Sequence, residues 1–417
     1  MSKYLTSTML ASAAVAALTV GFGAQAQVHQ FTGNPDGEFP HAKLLSVNCG
    51  TNNYLYGTTQ YGGAFGEGIV FNQLIPPIGP PGPETVIYTF TGAVGGGGQP
   101  TAGLIQVGNY LYGTTQVGGL GTVYRIPVGT CGPAAQTVLY AFTGAPDGQV
   151  PAAGLIYQGG WLYGTTVSGG ISGLGTIFRC KLTGPCSVIY SFAGGPADGT
   201  NPYGGLIFDA IANSGVKEGA LYGTTQLGGA FGLGTVFSFE ITPTFGTETV
   251  MHSFAGGSDG AYPMAELVKH GQNLFSTTYS GGGSGNCTGG CGTVFGISPA
   301  WPYPLLVTHS FAGHPHDGAN PIGGLVWDAA STPPRFYGTT FLGGSASTCM
   351  SGSVVSGCGT VFHLKANGTG EGLTVNFANV TNGIWPAAGV ILDGGNLFGT
   401  TIGGVLGGDG TVFSTPP

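Results

Sequence analysis

The chain has 417 residues, of which 84 are glycine and 27 proline; 41% of side chains are hydrophobic, only 6% are charged, and the formal net charge is −8. Nine scattered basic residues exclude a nucleic-acid footprint and equally an anionic membrane surface as partner. Glycine and proline at this level would signal disorder if they had no period.

A period is present, and it begins after a targeting segment. Lys3 supplies a positive start, Met9 to Phe22 is an apolar and small-residue run too short to span a bilayer, and Ala24-Gln25-Ala26 is a cleavage site of the A-x-A kind. The mature chain is expected to start at Gln27, so residues 1–26 read as signal peptide and 27–417 as one domain. No later hydrophobic stretch has spanning length, and eight cysteines after the signal fit an oxidising compartment, secreted or periplasmic.

The organising stretch is Leu-Tyr-Gly-Thr-Thr, followed shortly by Gly-Gly. It is perfect at 55–59, 111–115, 162–166 and 221–225, and slightly changed at 274–278, 336–340 and 397–401. Around it each unit repeats the same parts. A strand-like run ends in Phe (Thr137 to Phe142 is one). A loop follows with Asp-Gly and then Pro. A short apolar strand such as Gly154 to Tyr157 leads to the central motif, and Gly-Thr-Val-Phe closes the unit (Gly234 to Phe237). Alternating apolar and polar positions and β-branched, aromatic and Gly-rich content predict four short strands per unit. The motif starts lie 56, 51, 59, 53, 62 and 61 residues apart. A solenoid needs shorter repeats; four-stranded units of about 40–50 residues mark propeller blades. The fold class is therefore all-β, a seven-bladed propeller. The N-terminal run Val28 to Phe31 is a last strand without its unit, and the C-terminal unit stops after Gly410 to Phe413 without its last strand. Pairing the two completes the seventh blade and removes the open edge.

The ordered pattern LYGTT-x-x-GG, GTVF, FTG-x-x-DG-x-x-P-x-x-G-L, spread over residues 28–413, resembles the GloVer (Gloeo/Verruco) tandem repeat of exported bacterial proteins. The resemblance implies a secreted or surface propeller-like protein and carries no established activity or site residues. Members often end in a sorting or anchoring segment. Here the last residues are Ser414-Thr415-Pro416-Pro417, which favours a periplasmic or released protein.

Candidate site residues are few. Asp36, Asp147, Asp198, Asp259 and Asp317 recur in the Asp-Gly loop, with Gly96 and Asn382 in the other two units. They read as turn devices whose carboxylates accept from nearby backbone N–H groups; the alternative is a ring of carboxylates binding calcium or a sugar. The paired threonines read as strand residues satisfying one another. His314-Pro315-His316-Asp317, found in one unit only, is a possible zinc ligand set of His314, His316 and Asp317. His252 and His309 replace a recurrent Tyr and read as structural. Asp209, Asp328 and Asp393 share a hairpin-turn position, whereas Glu67 and Glu266 break their local patterns. No nucleophile elbow, phosphate loop or dinucleotide fingerprint is present. The cysteines read as staples: Cys180 with Cys186, Cys287 with Cys291, Cys349 with Cys358, and the remaining Cys49 with Cys131, with cross-blade pairings geometrically open.

The functional expectation is a monomeric, exported, non-catalytic binding or scaffold propeller for a glycan, peptide or protein, with no cofactor. The alternative is a polysaccharide-acting hydrolase or lyase using Glu67 or Glu266, which would require two suitably spaced carboxylates in one central pocket.

Overall fold

The computed structural model describes residues 25–129, 131–209, 219–242, 246–351, 354–378, 383–404 and 408–417. Residues 1–24, which hold most of the expected signal peptide, and Glu218 and Asn382 lie outside them. Seven four-stranded antiparallel sheets form a closed β-propeller. Blade 1 takes its strands from Leu45–Cys49, Asn52–Thr59, Ile69–Ile75 and Glu84–Thr89. Blades 2 to 6 follow in the same order, with innermost strands Ile105–Val107, Ile156–Gln158, Ile207–Asp209, Val268–His270 and Val326–Asp328. Blade 7 has Ile391–Asp393, Asn396–Thr401 and Thr411–Thr415 from the C-terminal end and Ala26–Gln30 as its outermost strand. That last pairing is antiparallel, with a bulge between Gln27 and His29, so the ring closes as the repeat predicts.

Each letter of the central motif has a physical task. The Leu is fully buried, as at Leu55, Leu111 and Leu162. The Gly leaves room for the ring of the Gly-Thr-Val-Phe strand: a Cβ on Gly57 would stand 2.5 Å from Phe71 Cζ, and one on Gly164 2.7 Å from Phe178 Cζ. The first Thr donates to a carbonyl of the next blade, Thr58 to Ala102, Thr224 to Ala265, Thr339 to Ala388 and, across the closure, Thr400 to Ala42. The second Thr stays within its blade. Thr115, Thr166 and Thr340 each donate to the carbonyl two residues on and share a hydrogen bond with the Thr of Gly-Thr-Val-Phe. Blade 5 departs: Ser276 replaces the Gly and donates to Glu266 O, while the Thr277 hydroxyl is buried without a partner.

The core is divided among the seams. Val47, Tyr56, Val70 and Ile87 of blade 1 pack on Leu104, Leu111, Tyr124 and Ile126 of blade 2, and each other seam has its own cluster of this kind. The Phe that ends each unit stands edge-on to the aromatic ring of the next blade. The seven pairs, from Phe31–Phe71 to Phe377–Phe413, have centroids 5.0–5.3 Å apart. Such pairs add about 0.5–1.5 kcal/mol each beyond burial.

A further bond recurs at every seam. Phe39, Gln99, Val150, Asn201, Tyr262, Asn320 and Trp385 all have φ between 53° and 60°, and each precedes a proline. Each donates its N–H to a loop carbonyl of the preceding blade, Phe39 to Asp409 at 2.9 Å and Gln99 to Glu67 at 2.7 Å among them. Each accepts at its own carbonyl from the residue after the paired threonines, for example Gln60 N to Phe39 O and Ile402 N to Trp385 O. The left-handed conformation of a bulky residue is costly, and these two bonds hold it.

All four disulfides have the expected pairings, Cys180–Cys186, Cys287–Cys291 and Cys349–Cys358 within blades and Cys49–Cys131 between blades 1 and 2. Two outcomes follow. Deleting residues 27–33 removes the strand that closes blade 7 and the buried Phe31, whose packing alone is worth about 3–5 kcal/mol, so the melting temperature measured by calorimetry falls sharply. Replacing Cys49 and Cys131 by Ser opens a loop of 82 residues and costs about 4–5 kcal/mol in chemical denaturation, against about 2 for opening the short Cys180–Cys186 loop.

Candidate functional site

The segments that enter the innermost strands surround a central cavity of about 660 Å³. In the sequence these segments are Pro-x-x-Gly-Leu, and the structure shows why the Gly recurs. It stands at Gly103, Gly154, Gly205, Gly324 and Gly389, where the seven inner segments come nearest to one another. A Cβ on Gly389 would lie 2.3 Å from Gly324 O, and one on Gly103 3.1 Å from Lys43 O. Two blades carry a side chain at this position, Lys43 in blade 1 and Glu266 in blade 5. These blades are not neighbours, and the two side chains meet across the channel, Lys43 Nζ to Glu266 Oε1 at 2.5 Å. The Glu266 side chain fills space left by Gly205 and Gly324 on either side. Below this level the wall is aliphatic, with half-buried Leu45, Ile105, Ile156, Ile207, Val268 and Ile391. His41 lines the same cavity, and burial pushes its imidazole down from the ordinary 6.5 to about 4, so it is neutral at physiological pH.

Glu266, singled out by its break in the repeat, thus lies in the channel. Glu67 does not. It sits in a loop at the seam of blades 1 and 2, half-buried beside Gln99, whose backbone N–H it accepts. Among the described residues, Glu266 is the one carboxylate lining the central cavity.

The recurrent aspartates fold back on their own loops. Asp36 accepts from Thr32 N, Asp147 from Thr143 N, Asp198 from Ala193 N, Asp259 from Ala255 N and Asp317 from Ala312 N. Each also meets the aromatic side chain two residues before the unit's last Phe. Tyr140 and Tyr190 donate to Asp147 and Asp198 at 2.9 Å, and His29, His252 and His309 stand 3.4, 3.0 and 3.3 Å from Asp36, Asp259 and Asp317. His314 turns away from Asp317, with Nδ1 2.7 Å from Gly344 O, and His316 is exposed. The structure therefore does not gather His314, His316 and Asp317; His309 and Glu371 are what it brings to Asp317.

Sequence reasoning missed Lys43, although its place at the Gly of Pro-x-x-Gly-Leu was the available signal. It also missed the seven residues with left-handed backbone. Two residues beyond them in the chain the cavity wall begins, so they ring its mouth. Over one side of that ring the side chains are aromatic and half-buried: Tyr262 with Tyr279, Phe341 stacked on Trp385 at 6.3 Å, and Phe39 edge-on to Tyr61 at 5.9 Å. A side cavity of about 370 Å³, lined by Tyr279, Asn286, His314, Asn320 and Leu342 among others, opens within this arc between blades 5 and 6.

Fold and channel together define a closed seven-bladed propeller with a charged pair across its axis. By sequence the chain belongs to the Gloeobacter/Verrucomicrobia repeat family, whose profile matches residues 78–289 and 209–354. Similar solved structures include a provisional 6-phosphogluconolactonase of Bacteroides uniformis (13% identity, 84% of this chain and 88% of that one, TM-score 0.49). A Trypanosoma rangeli sialidase matches with 8% identity, 94% and 59% coverage and TM-score 0.45. An alpha-L-arabinofuranosidase of Fusarium graminearum matches with 12% identity, 75% and 90% coverage and TM-score 0.43. No curated protein sequence matches the chain. Identities this low transfer no activity.

His41 gives a pH test. Its depressed folded value means that the unfolded chain takes up the proton first as pH falls. Its contribution to stability is complete above 6.5 and is lost toward about 4. Urea unfolding at pH 7, 5.5 and 4.5 should show His41→Gln losing less stability over this window than the parent.

Proposed function

We propose that the protein is an exported, non-catalytic binding propeller that holds a polysaccharide across the aromatic arc at the channel mouth. The observation that carries the non-catalytic half is the channel lining, in which the one carboxylate among the described residues is already paired with Lys43. Glycoside hydrolysis by the common route uses two carboxylates, about 5–10 Å apart. The carbohydrate half rests on the arc of Tyr262, Tyr279, Phe341, Trp385, Phe39 and Tyr61. Flat aromatic faces stack on the C–H faces of sugar rings, at low entropic cost because these side chains have few rotatable bonds. The seven recurrent turns fix the backbone of this ring and leave its side chains free to differ from blade to blade. Oxidised cysteines accord with an extracytoplasmic location. The second reading, a polysaccharide-acting hydrolase or lyase, rests on Glu266 standing in the channel.

Affinity electrophoresis and calorimetry against a panel of soluble polysaccharides test the proposal. Trp385→Ala is expected to weaken retention by the preferred polymer about tenfold or more, as loss of a central aromatic anchor does, with no release of reducing ends by either protein. Equal retention by parent and variant on every polymer overturns the arc as the site. Turnover that disappears in Glu266→Gln establishes the second reading instead.

A further inference from the structure

The seam between blades 5 and 6 gathers three side chains that the channel does not use. His309 lies on the outermost strand of blade 5, Leu305–Ser310. Asp317 lies in the loop that follows, and Glu371 immediately precedes the outermost strand of blade 6, Gly372–Asn376. One ligand atom from each lies within 4.8 Å of the other two, and among the described residues this is the one such group of His, Cys, Asp and Glu. We propose that His309, Asp317 and Glu371 bind a divalent transition-metal ion, zinc by their donor set, which staples blade 5 to blade 6.

Four observations support this. First, His309 Nε2 is out of reach of solvent and makes no hydrogen bond, and its polar neighbour in the seam is the Asp317 carboxylate at 3.3 Å. Second, Asp317 is 8% exposed, and its carboxylate is held by Ala312 N at 2.7 Å and Gly318 N at 2.6 Å, the kind of outer support that fixes a ligand's orientation. Third, two carboxylates share the seam with one imidazole, so acceptor oxygens outnumber the groups that could neutralise them. A divalent cation removes that imbalance. Fourth, the geometry is close to what zinc needs. Ligand atoms about 2.0–2.1 Å from a tetrahedral ion are about 3.4 Å apart. His309 and Asp317 are already at 3.3 Å. Glu371, with its longer side chain, closes the third position, and water completes the set.

Neighbouring seams show what the fold does without such an ion. Blade 3 has Tyr190 where His309 stands, and Tyr190 donates its own proton to Asp198 at 2.9 Å beside Glu248. Across from His252 and Asp259 the repeat places Leu305. His29, Asp36 and Glu84 share the seam of blades 7 and 1, but their ligand atoms do not all come within the range of the blade 5–6 triad. The sibling seam also supplies a control that should fold: His309→Tyr recreates the Tyr–Asp–Glu arrangement native to blades 3 and 4.

The test uses the whole mature protein, stripped by chelator and titrated with zinc chloride by calorimetry, with melting curves before and after. The parent is expected to take up one equivalent and to melt higher with zinc. His309→Tyr is expected to melt like the stripped parent and to show no zinc heat, and Glu371→Gln to bind at least about tenfold more weakly. His316→Ala is expected to bind as the parent does. Absence of zinc binding by the parent, undiminished binding by His309→Tyr, or loss of binding in His316→Ala overturns the proposal.

Discussion

The structure depends on a pair of backbone hydrogen bonds made at every seam by a residue in left-handed conformation. Its N–H reaches the preceding blade and its C=O the blade it enters, so each unit is locked to the next at a fixed height and angle. Apolar packing between blades is strong but not directional. The clamp supplies the direction, and the Thr-to-carbonyl bonds and edge-on Phe pairs fall into register behind it. The following proline restricts the chain where it turns toward the axis. A chain with 6% charged residues has few ion pairs to use for this purpose, and backbone groups take their place.

This arrangement sorts the side chains into two kinds. Those that serve the blade recur: the buried Leu, the Gly beneath the Phe ring, the two threonines and the turn aspartate. Those that depart from the repeat stand where the backbone is already secured. Lys43 and Glu266 replace the channel glycines in two blades and answer each other's charge. His309 and Glu371 replace other residues at one seam and meet Asp317. Trp385, Tyr262 and Phe39 occupy clamp positions whose conformation is set by bonds that involve no side chain. Departures from the repeat are thus concentrated on the channel, the mouth and the seams.

Much of the fold was legible because its motif letters are chemically obligatory. A Gly under an aromatic ring and a Thr aimed at a buried carbonyl tolerate little substitution, so strands, blades and closure could be read from them. Three disulfides were legible because their cysteines lie 4 to 9 residues apart, and Cys49–Cys131, 82 apart, because those two cysteines were left over. The clamp was not legible. Left-handed backbone ordinarily announces itself as Gly or Asn, whereas here only Asn201 and Asn320 do so and the other five are Phe, Gln, Val, Tyr and Trp. Of the candidate site, Glu266 could be found from its break in pattern, but its partner is 223 residues away and nothing local connects them. Asp317 could be found too. Its companions were sought in the adjacent His314 and His316, while the fold supplies one residue from the strand before it and one from the next blade.

Closure by the N-terminal strand has a consequence for how the molecule is made. The strand that completes blade 7, Ala26–Gln30, is separated in the chain from its partner, Thr411–Thr415, by all the other blades, so it is synthesised long before it can pair. Until Thr411–Thr415 is made, Ala26–Gln30 has no strand to pair with and the ring stays open at blade 7. Contacts between such distant parts of a chain form slowly, and exposed strand edges invite association with other chains in the meantime. The ring therefore behaves as an all-or-none object at its seam. A chain cut short late in synthesis loses the closing blade together with the packing faces of its two neighbours, which leaves more apolar surface exposed than the missing residues alone account for.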